Sequence, residues 1–221
     1  PPPPPPPPPL IPYTTLFRSV VTSTEQLDNG KSAGFWLGDV THFVHFLKAA
    51  GYNIDFVSTK GGYAPVEAKS KNDKDPMNQE FAADRGLFAK LRNTRYATQV
   101  NAEDYACVYV AGGRGAMFDL PGDEKLAELI ASIYEAGGVV AAVSQGVGAL
   151  VNVTLSDGSS LVAGKAVTGA KAKAPFDLEA KLKSRGAEFR KKLLGANVVV
   201  GERLITGQNS QSAKKLAQAV V

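Results

Sequence analysis

A short apolar run that ends abruptly in polar residues constrains this chain more than any other feature. Residues 139–150 read VVAAVSQGVGAL, in which small and β-branched residues give way to Ser144-Gln145-Gly146 and a helix-like pattern follows. Proteins with α/β folds present nucleophiles on such sharp turns, because the turn exposes the side chain and the helix start offers N–H groups to a developing anion. The pattern therefore predicts Ser144 as a candidate catalytic residue.

Strand-like and helix-like segments alternate along the chain. The strand-like runs are apolar and rich in β-branched residues, as in parallel strands covered on both faces, and they cover 54–58, 107–111 and 139–143. The candidate helices have apolar stripes at helical spacing and cover 36–50, 80–91 and 124–136. This order predicts a doubly wound, mostly parallel sheet sandwiched by helices, the flavodoxin-like α/β class, with ligand sites at the carboxyl ends of the strands.

Composition excludes several classes of protein. The chain is 44% hydrophobic and 21% charged, which is ordinary for a globular domain, and its net charge of +4 is too small to argue for nucleic acid. Because no apolar run approaches the ~20 residues of a membrane span, we expect no membrane partner and a cytoplasmic location. Nine Lys or Arg residues fall within 165–192; they could hold an anionic ligand, but a solvated surface is the favoured interpretation.

Four motifs together carry a resemblance to a known family. They are GFWLGDVTHF (34–43), AGGRGAMFDLP (111–121), the strand and turn VVAAVSQGVGAL (139–150), which we call the elbow, and LITGQNSQSA (204–213). In this order and spacing they resemble the ThiJ/PfpI superfamily, in its branch of glutathione-independent glyoxalases and stress chaperones. The resemblance implies a homodimer that acts on a small carbonyl compound or on unfolded protein clients, without a cofactor.

The resemblance extends from about Val20 to Val221, and the first nineteen residues are interpreted separately. Residues 1–9 are all proline, and 12–19 (PYTTLFRS) resemble one translated frame of a common sequencing adapter. We interpret 1–19 as an artefact or a disordered tail, with a proline-rich ligand segment as the alternative, and predict a single domain over 20–221. The family's first strand normally begins earlier, so either 16–22 substitutes for it or that strand is short.

The resemblance also implies a set of site residues. The family carries a nucleophilic Cys followed by His where this chain has Ser144 and Gln145, and a Glu where it has Asp39. The catalytic candidates are therefore Ser144, Asp39 and Gln145, and the Asp39 carboxyl is implied to point at Ser144. The substrate-binding candidates lie on the two glycine turns and are Gly112, Gly113, Arg114 and Gly146. Arg114 stands where this branch often has His.

The residues at these positions weaken the chemistry that the family implies. A thiol ionises near pH 8.5, whereas a serine hydroxyl needs a well-placed base, and Asp reaches about 1.5 Å less far than Glu. We therefore expect glyoxalase III activity, the conversion of methylglyoxal to lactate, to be weak or lost. The alternative is a non-catalytic chaperone or small-ligand-binding module.

A serine hydrolase that uses Ser144 is a further alternative. It would need a histidine, and the chain has only His42 and His45. His42 lies one helical turn from Asp39, which is an awkward geometry for a triad, so a packing or surface role is the favoured interpretation for both histidines. Two histidines without a third ligand do not define a metal site, and we expect no metal.

Overall fold

The computed structural model describes residues 16–221, and its centre is a six-stranded sheet. The strands are Leu16–Val21 (β1), Asn53–Ser58 (β2), Tyr105–Val110 (β3), Val139–Val143 (β4), Ala166–Val167 (β5), Glu188–Phe189 (β6), Val198–Val200 (β7) and Leu204–Gly207 (β8). The main sheet has the order β2-β1-β3-β4-β8-β7, and β5 and β6 form a separate parallel pair. Neighbours in the main sheet are parallel except β7, which runs antiparallel to β8.

Seven α-helices accompany these strands. They are Leu37–Ala49 (α1), Pro76–Ala83 (α2), Arg85–Arg92 (α3), Ala116–Asp119 (α4), Glu124–Glu135 (α5), Leu178–Ser184 (α6) and Ala213–Val220 (α7). The mostly parallel α/β fold with helices on both faces of the sheet confirms the predicted class. Among these helices none combines the length and apolar character needed to cross a bilayer.

Helix α1 and helix α5 bury the stripes that their sequences predict, on opposite faces of the sheet. Val40, Phe43, Val44 and Leu47 of α1 join one core cluster. Leu126, Leu129, Ile130 and Ile133 of α5 join the other. The two-sided burial explains why the central strands are apolar on both faces.

The single helix predicted over 80–91 is instead two helices, α2 and α3, which is a correction. Asp84 separates them in an extended conformation, and its carboxylate accepts a hydrogen bond from the Leu87 amide over 3.0 Å. Asp favours this capping role because its short side chain satisfies an amide that the first turn of a helix leaves unpaired. The break therefore reflects a capping signal inside a pattern of otherwise helical periodicity.

The first strand begins before Val20, where the predicted domain starts. β1 begins at Leu16 and lies between β2 and β3, pairing with both over its length. Phe17 is fully buried in the core. Residues 16–19 therefore belong to β1, as the alternative over 16–22 allowed, because main-chain pairing accepts many sequences. Residues 1–15 lie outside the described range.

Candidate functional site

Ser144 lies on a strained turn at the carboxyl end of β4. Its φ of 56° is the only positive φ of a non-glycine residue within residues 16–221. The 3₁₀ helix Ser144–Asn152 begins at this residue, and the side chain is half-buried. Such strain at a strand-to-helix junction is typical of residues that a fold holds for function. The geometry is the elbow that the sequence predicts.

Asp39 lies in the first turn of α1 and is fully buried. Its Oδ2 accepts a hydrogen bond from the Gly112 amide over 3.1 Å, while its Oδ1 has no partner within the described residues. Burial raises the pKa of this carboxyl to about 7. The nearby Ser210 hydroxyl and the Gly112 amide limit the rise, and the negative charge of Glu67 adds to it.

Gly112 brings Asp39 and Ser144 together. A methyl group placed on Gly112 would lie 2.6 Å from Asp39 Oδ2 and 2.8 Å from Ser144 Cβ, so both side chains pack against this α-carbon. Only glycine leaves room for them. Even so, no hydrogen bond joins Asp39 to the Ser144 hydroxyl in the part of the chain that the structure describes. Asp39 and Ser144 are therefore close neighbours, as the resemblance implies, but they are not hydrogen-bonded to each other.

The glycine turn after β3 carries one candidate oxyanion donor, the amide of Gly113. Gly113 has a φ of 113°, and a Cβ there would lie 2.5 Å from the Trp36 nitrogen, so this turn is pressed against the start of α1. The amide of Gln145 lies in the first turn of the 3₁₀ helix, where N–H groups have no partner within the helix. The amides of Gly113 and Gln145 are thus the candidate donors to an oxyanion that develops at Ser144.

Gly146 and Arg114 make contacts that differ from those of the other candidates. A Cβ on Gly146 would lie 2.5 Å from the Ala111 carbonyl oxygen, so its small size fits close packing on the end of β3. The Arg114 guanidinium lies 3.4 Å from Glu67, and its amide donates to the same carboxylate over 2.9 Å. Glu67 therefore neutralises the charge that Arg114 would offer an anion. Neither residue has a contact with Ser144 among those described.

His42 pairs with the residue that caps α2 and His45 with a residue of α2, and neither has a contact with Ser144 among those described. His42 Nε2 lies 2.7 Å from Asp75 Oδ2, and His45 Nδ1 lies 2.6 Å from Glu80 Oε2. These contacts agree with the packing or surface role favoured from the sequence. Cys107 is fully buried in β3, and its burial raises the pKa of the thiol, so it is an inert core residue. Within residues 16–221 no cluster of potential ligands could hold a metal ion.

Three residues around Asp39 were not identified from the sequence. The Tyr109 hydroxyl donates to the Asp39 carbonyl oxygen over 2.6 Å and fixes the start of α1, while Glu67 and Ser210 influence the carboxyl. Ser210 follows the carboxyl end of β8, so the rule that sites lie at this edge of the sheet could have found it. Glu67 lies in a loop, and no local pattern marks it.

The fold and the elbow define a class of protein, and comparison with known proteins identifies the family. The chain belongs to the DJ-1/PfpI family, which matches residues 33–221. This membership confirms the resemblance drawn from the four motifs.

Individual relatives cover most of the chain. The glutathione-independent glyoxalase hsp3102 of Schizosaccharomyces pombe is 29% identical over 224 residues, covering 87% of this chain and 90% of the relative. The structure of Rapid Encystment Protein 24 KDa of Francisella tularensis is similar with a TM-score of 0.88 and 31% identity over 93% of this chain and 97% of that one. Glyoxalase III of Candida albicans shares the fold, with a TM-score of 0.84 and 23% identity over 94% and 96%.

Proposed function

We propose that this protein is a glutathione-independent glyoxalase that converts methylglyoxal to lactate slowly, with Ser144 as its nucleophile. The observation that carries the proposal is the convergence of Ser144, on its strained turn, and the buried Asp39 carboxyl on the α-carbon of Gly112. The names of relatives such as hsp3102 support the same reaction class.

The proposed reaction begins with addition of the Ser144 hydroxyl to the aldehyde carbon of methylglyoxal. The proton of the hydroxyl passes to the Asp39 carboxylate, and the amides of Gly113 and Gln145 stabilise the oxyanion that forms. Asp39 returns the first proton to that oxyanion. Its carboxylate then accepts the hydrogen of the former aldehyde carbon as a proton and delivers it to the adjacent carbon, so that an ester of lactate remains on Ser144. Water hydrolyses this ester. One water is consumed, the aldehyde carbon is oxidised and the ketone carbon is reduced, without an external oxidant.

Two features predict a low rate. A serine hydroxyl is a weak nucleophile unless a base accepts its proton, and Asp39 makes no hydrogen bond to it within the described residues. The pKa of Asp39, raised to about 7 by burial, makes this carboxylate a stronger base than an ordinary one but leaves part of it protonated at neutral pH. The site thus has the geometry for the reaction and an unfavourable nucleophile.

Lactate formation from methylglyoxal by the full chain tests the proposal. The parent is measured beside Ser144→Ala and beside the double variant Ser144→Cys, Gln145→His. We expect slow turnover in the parent, none in Ser144→Ala and faster turnover in the double variant. Turnover that survives in Ser144→Ala, or absence of turnover in the parent, would overturn the assignment.

The missing Asp39–Ser144 hydrogen bond favours a second candidate, a binding module that has lost catalysis. In that case the protein would bind small carbonyl compounds or unfolded clients without turnover. Ser144→Ala would then suppress aggregation of a denatured client protein as well as the parent does. The homodimer that the family resemblance implies and the cytoplasmic location expected from composition remain proposals, and sedimentation equilibrium tests the first.

A further inference from the structure

A cavity adjoins the segment whose main chain is bonded to the Ser144 elbow. Its volume is about 610 Å³, and its walls come from 169–173, Asp177, Glu179, Phe189, 191–193 and Gln208. The Ala170 amide donates to the Ser144 carbonyl oxygen over 3.2 Å, so one wall is bonded directly to the elbow. Gln208 follows the end of β8, the strand next to β4. The cavity thus adjoins the elbow through Ala170, while Ser144 and Asp39 are not among its lining residues.

The cavity carries an excess of positive charge. Its lining includes four lysines and two acidic residues, Asp177 and Glu179. Lys173 pairs with Asp177, and Lys191 lies 3.0 Å from Glu179, which also accepts a hydrogen bond from Lys183. Both acidic residues are therefore already paired with lysines. The ammonium groups of Lys171 and Lys192 have no ion pair or hydrogen bond within residues 16–221.

The main chain holds both free lysines at the cavity. Lys171 directly follows Ala170, which is bonded to Ser144. Gln208 accepts a hydrogen bond from the Lys192 amide over 2.7 Å and donates one to the Lys192 carbonyl oxygen over 2.9 Å. This double contact fixes the Lys192 backbone over the carboxyl edge of the sheet. Two cations with anchored backbones therefore flank one cavity.

We propose that this cavity binds the carboxylate of a small 2-hydroxy acid through Lys171 and Lys192. The inference rests on the proposed function, because that reaction converts a neutral dicarbonyl compound into a carboxylate at Ser144, whose carbonyl oxygen is bonded to the cavity wall at Ala170. An anion formed at Ser144 is attracted to unpaired ammonium groups, which do not attract the uncharged substrate comparably. The cavity would be the product site of the reaction and a source of product inhibition.

Equilibrium binding of lactate to the full chain, measured by titration calorimetry, tests the proposal. Lactamide, which is uncharged and nearly the same size, is the control ligand. The double variant Lys171→Gln, Lys192→Gln is compared with Lys215→Gln, which removes an exposed lysine of α7 that does not line the cavity. We expect lactate to bind more tightly than lactamide and the double variant to lose roughly fivefold in lactate affinity, as for two partly exposed ion pairs. Lys215→Gln should bind like the parent.

Equal binding of lactate and lactamide, equal affinity in the double variant and the parent, or no lactate binding by the parent would each overturn the proposal. Circular dichroism melts show whether the variants are folded. The same titration on Ser144→Ala separates this proposal from the proposed function, because binding needs no turnover. Lactate binding without any turnover would leave the cavity assignment intact and reject the proposed reaction. Turnover without lactate binding would support the reaction and reject the cavity assignment.

Discussion

The guanidinium of Arg18 lies 3.9 Å above the ring centre of Tyr105 in the core, with no hydrogen bond to any of its three nitrogens within the described residues. Arg18 is fully buried in β1, and burial lowers its pKa to about 10, although the charge of Asp55 opposes this change. The Tyr105 ring offsets only part of the cost of removing the Arg18 guanidinium from water. This residue belongs to the adapter-like segment, and it fits poorly in the strand that contains it.

Replacement of Arg18 by methionine should therefore stabilise the protein. Removing a buried charge in favour of a well-packed apolar side chain is expected to raise the free energy of unfolding by about 1–3 kcal/mol. Urea unfolding measures the change, with Arg85→Met, at an exposed arginine of α3, as the control that should change little. A loss of stability in Arg18→Met would show that the guanidinium has a stabilising partner.

Gly112→Ala should disrupt the site. Its methyl group would lie 2.6 Å from Asp39 Oδ2, closer than van der Waals contact allows, so we expect a loss of about 1–3 kcal/mol in unfolding free energy and loss of any Ser144-dependent turnover. Gly122→Ala is the matched control, because a Cβ there meets nothing within 4 Å. Equal stability of the two variants would mean that Asp39 and Ser144 move apart freely.

The buried Asp39 carboxyl predicts a pH dependence of stability. Its pKa rises from 3.8 in the unfolded chain to about 7 in the folded one, so between these values the folded state holds a proton that the unfolded state has lost. Stability should therefore fall as the pH rises through this window, by at most about 1.4 kcal/mol per pH unit from this group. Below pH 3.8 the contribution is constant, and above about 7 the full penalty remains.

Asp39→Asn isolates this contribution. Urea unfolding at pH 5 and pH 8 should show the variant gaining stability relative to the parent as the pH rises. Asp28→Asn, at an exposed position, should follow the parent at both values. A parallel course of Asp39→Asn and the parent would mean that the carboxyl titrates normally.

His42 should prove dispensable for chemistry at Ser144. Because His42 pairs with Asp75 across α1 and α2, His42→Gln should cost up to about 1 kcal/mol in stability and leave Ser144-dependent lactate formation unchanged. A fluorophosphonate probe gives a second measurement. Labelling of Ser144 that disappears in His42→Gln would support the serine hydrolase alternative.

The sequence by itself determined the fold class and the position of the elbow. The apolar run 139–143, followed by Ser144, marks a buried strand and its end through local composition alone, and the stripes of α1 and α5 define their buried faces by spacing. The same local rules failed at Asp84, where one capping side chain divides a periodic helix pattern. β1 begins at Leu16, ahead of the predicted boundary at Val20, because main-chain pairing to β2 and β3 does not depend on which side chains the strand carries.

Only the tertiary structure decided the state of the groups around Ser144. The pKa of Asp39 depends on burial by α1, β3 and the turn after β8, which lie far apart in the chain. The pairing of Arg114 with Glu67, and of each histidine with α2, likewise joins residues that no local pattern connects. Electrostatic environment is a property of surroundings assembled from distant segments, so the sequence identifies which groups are present while the fold determines their partners and their charge.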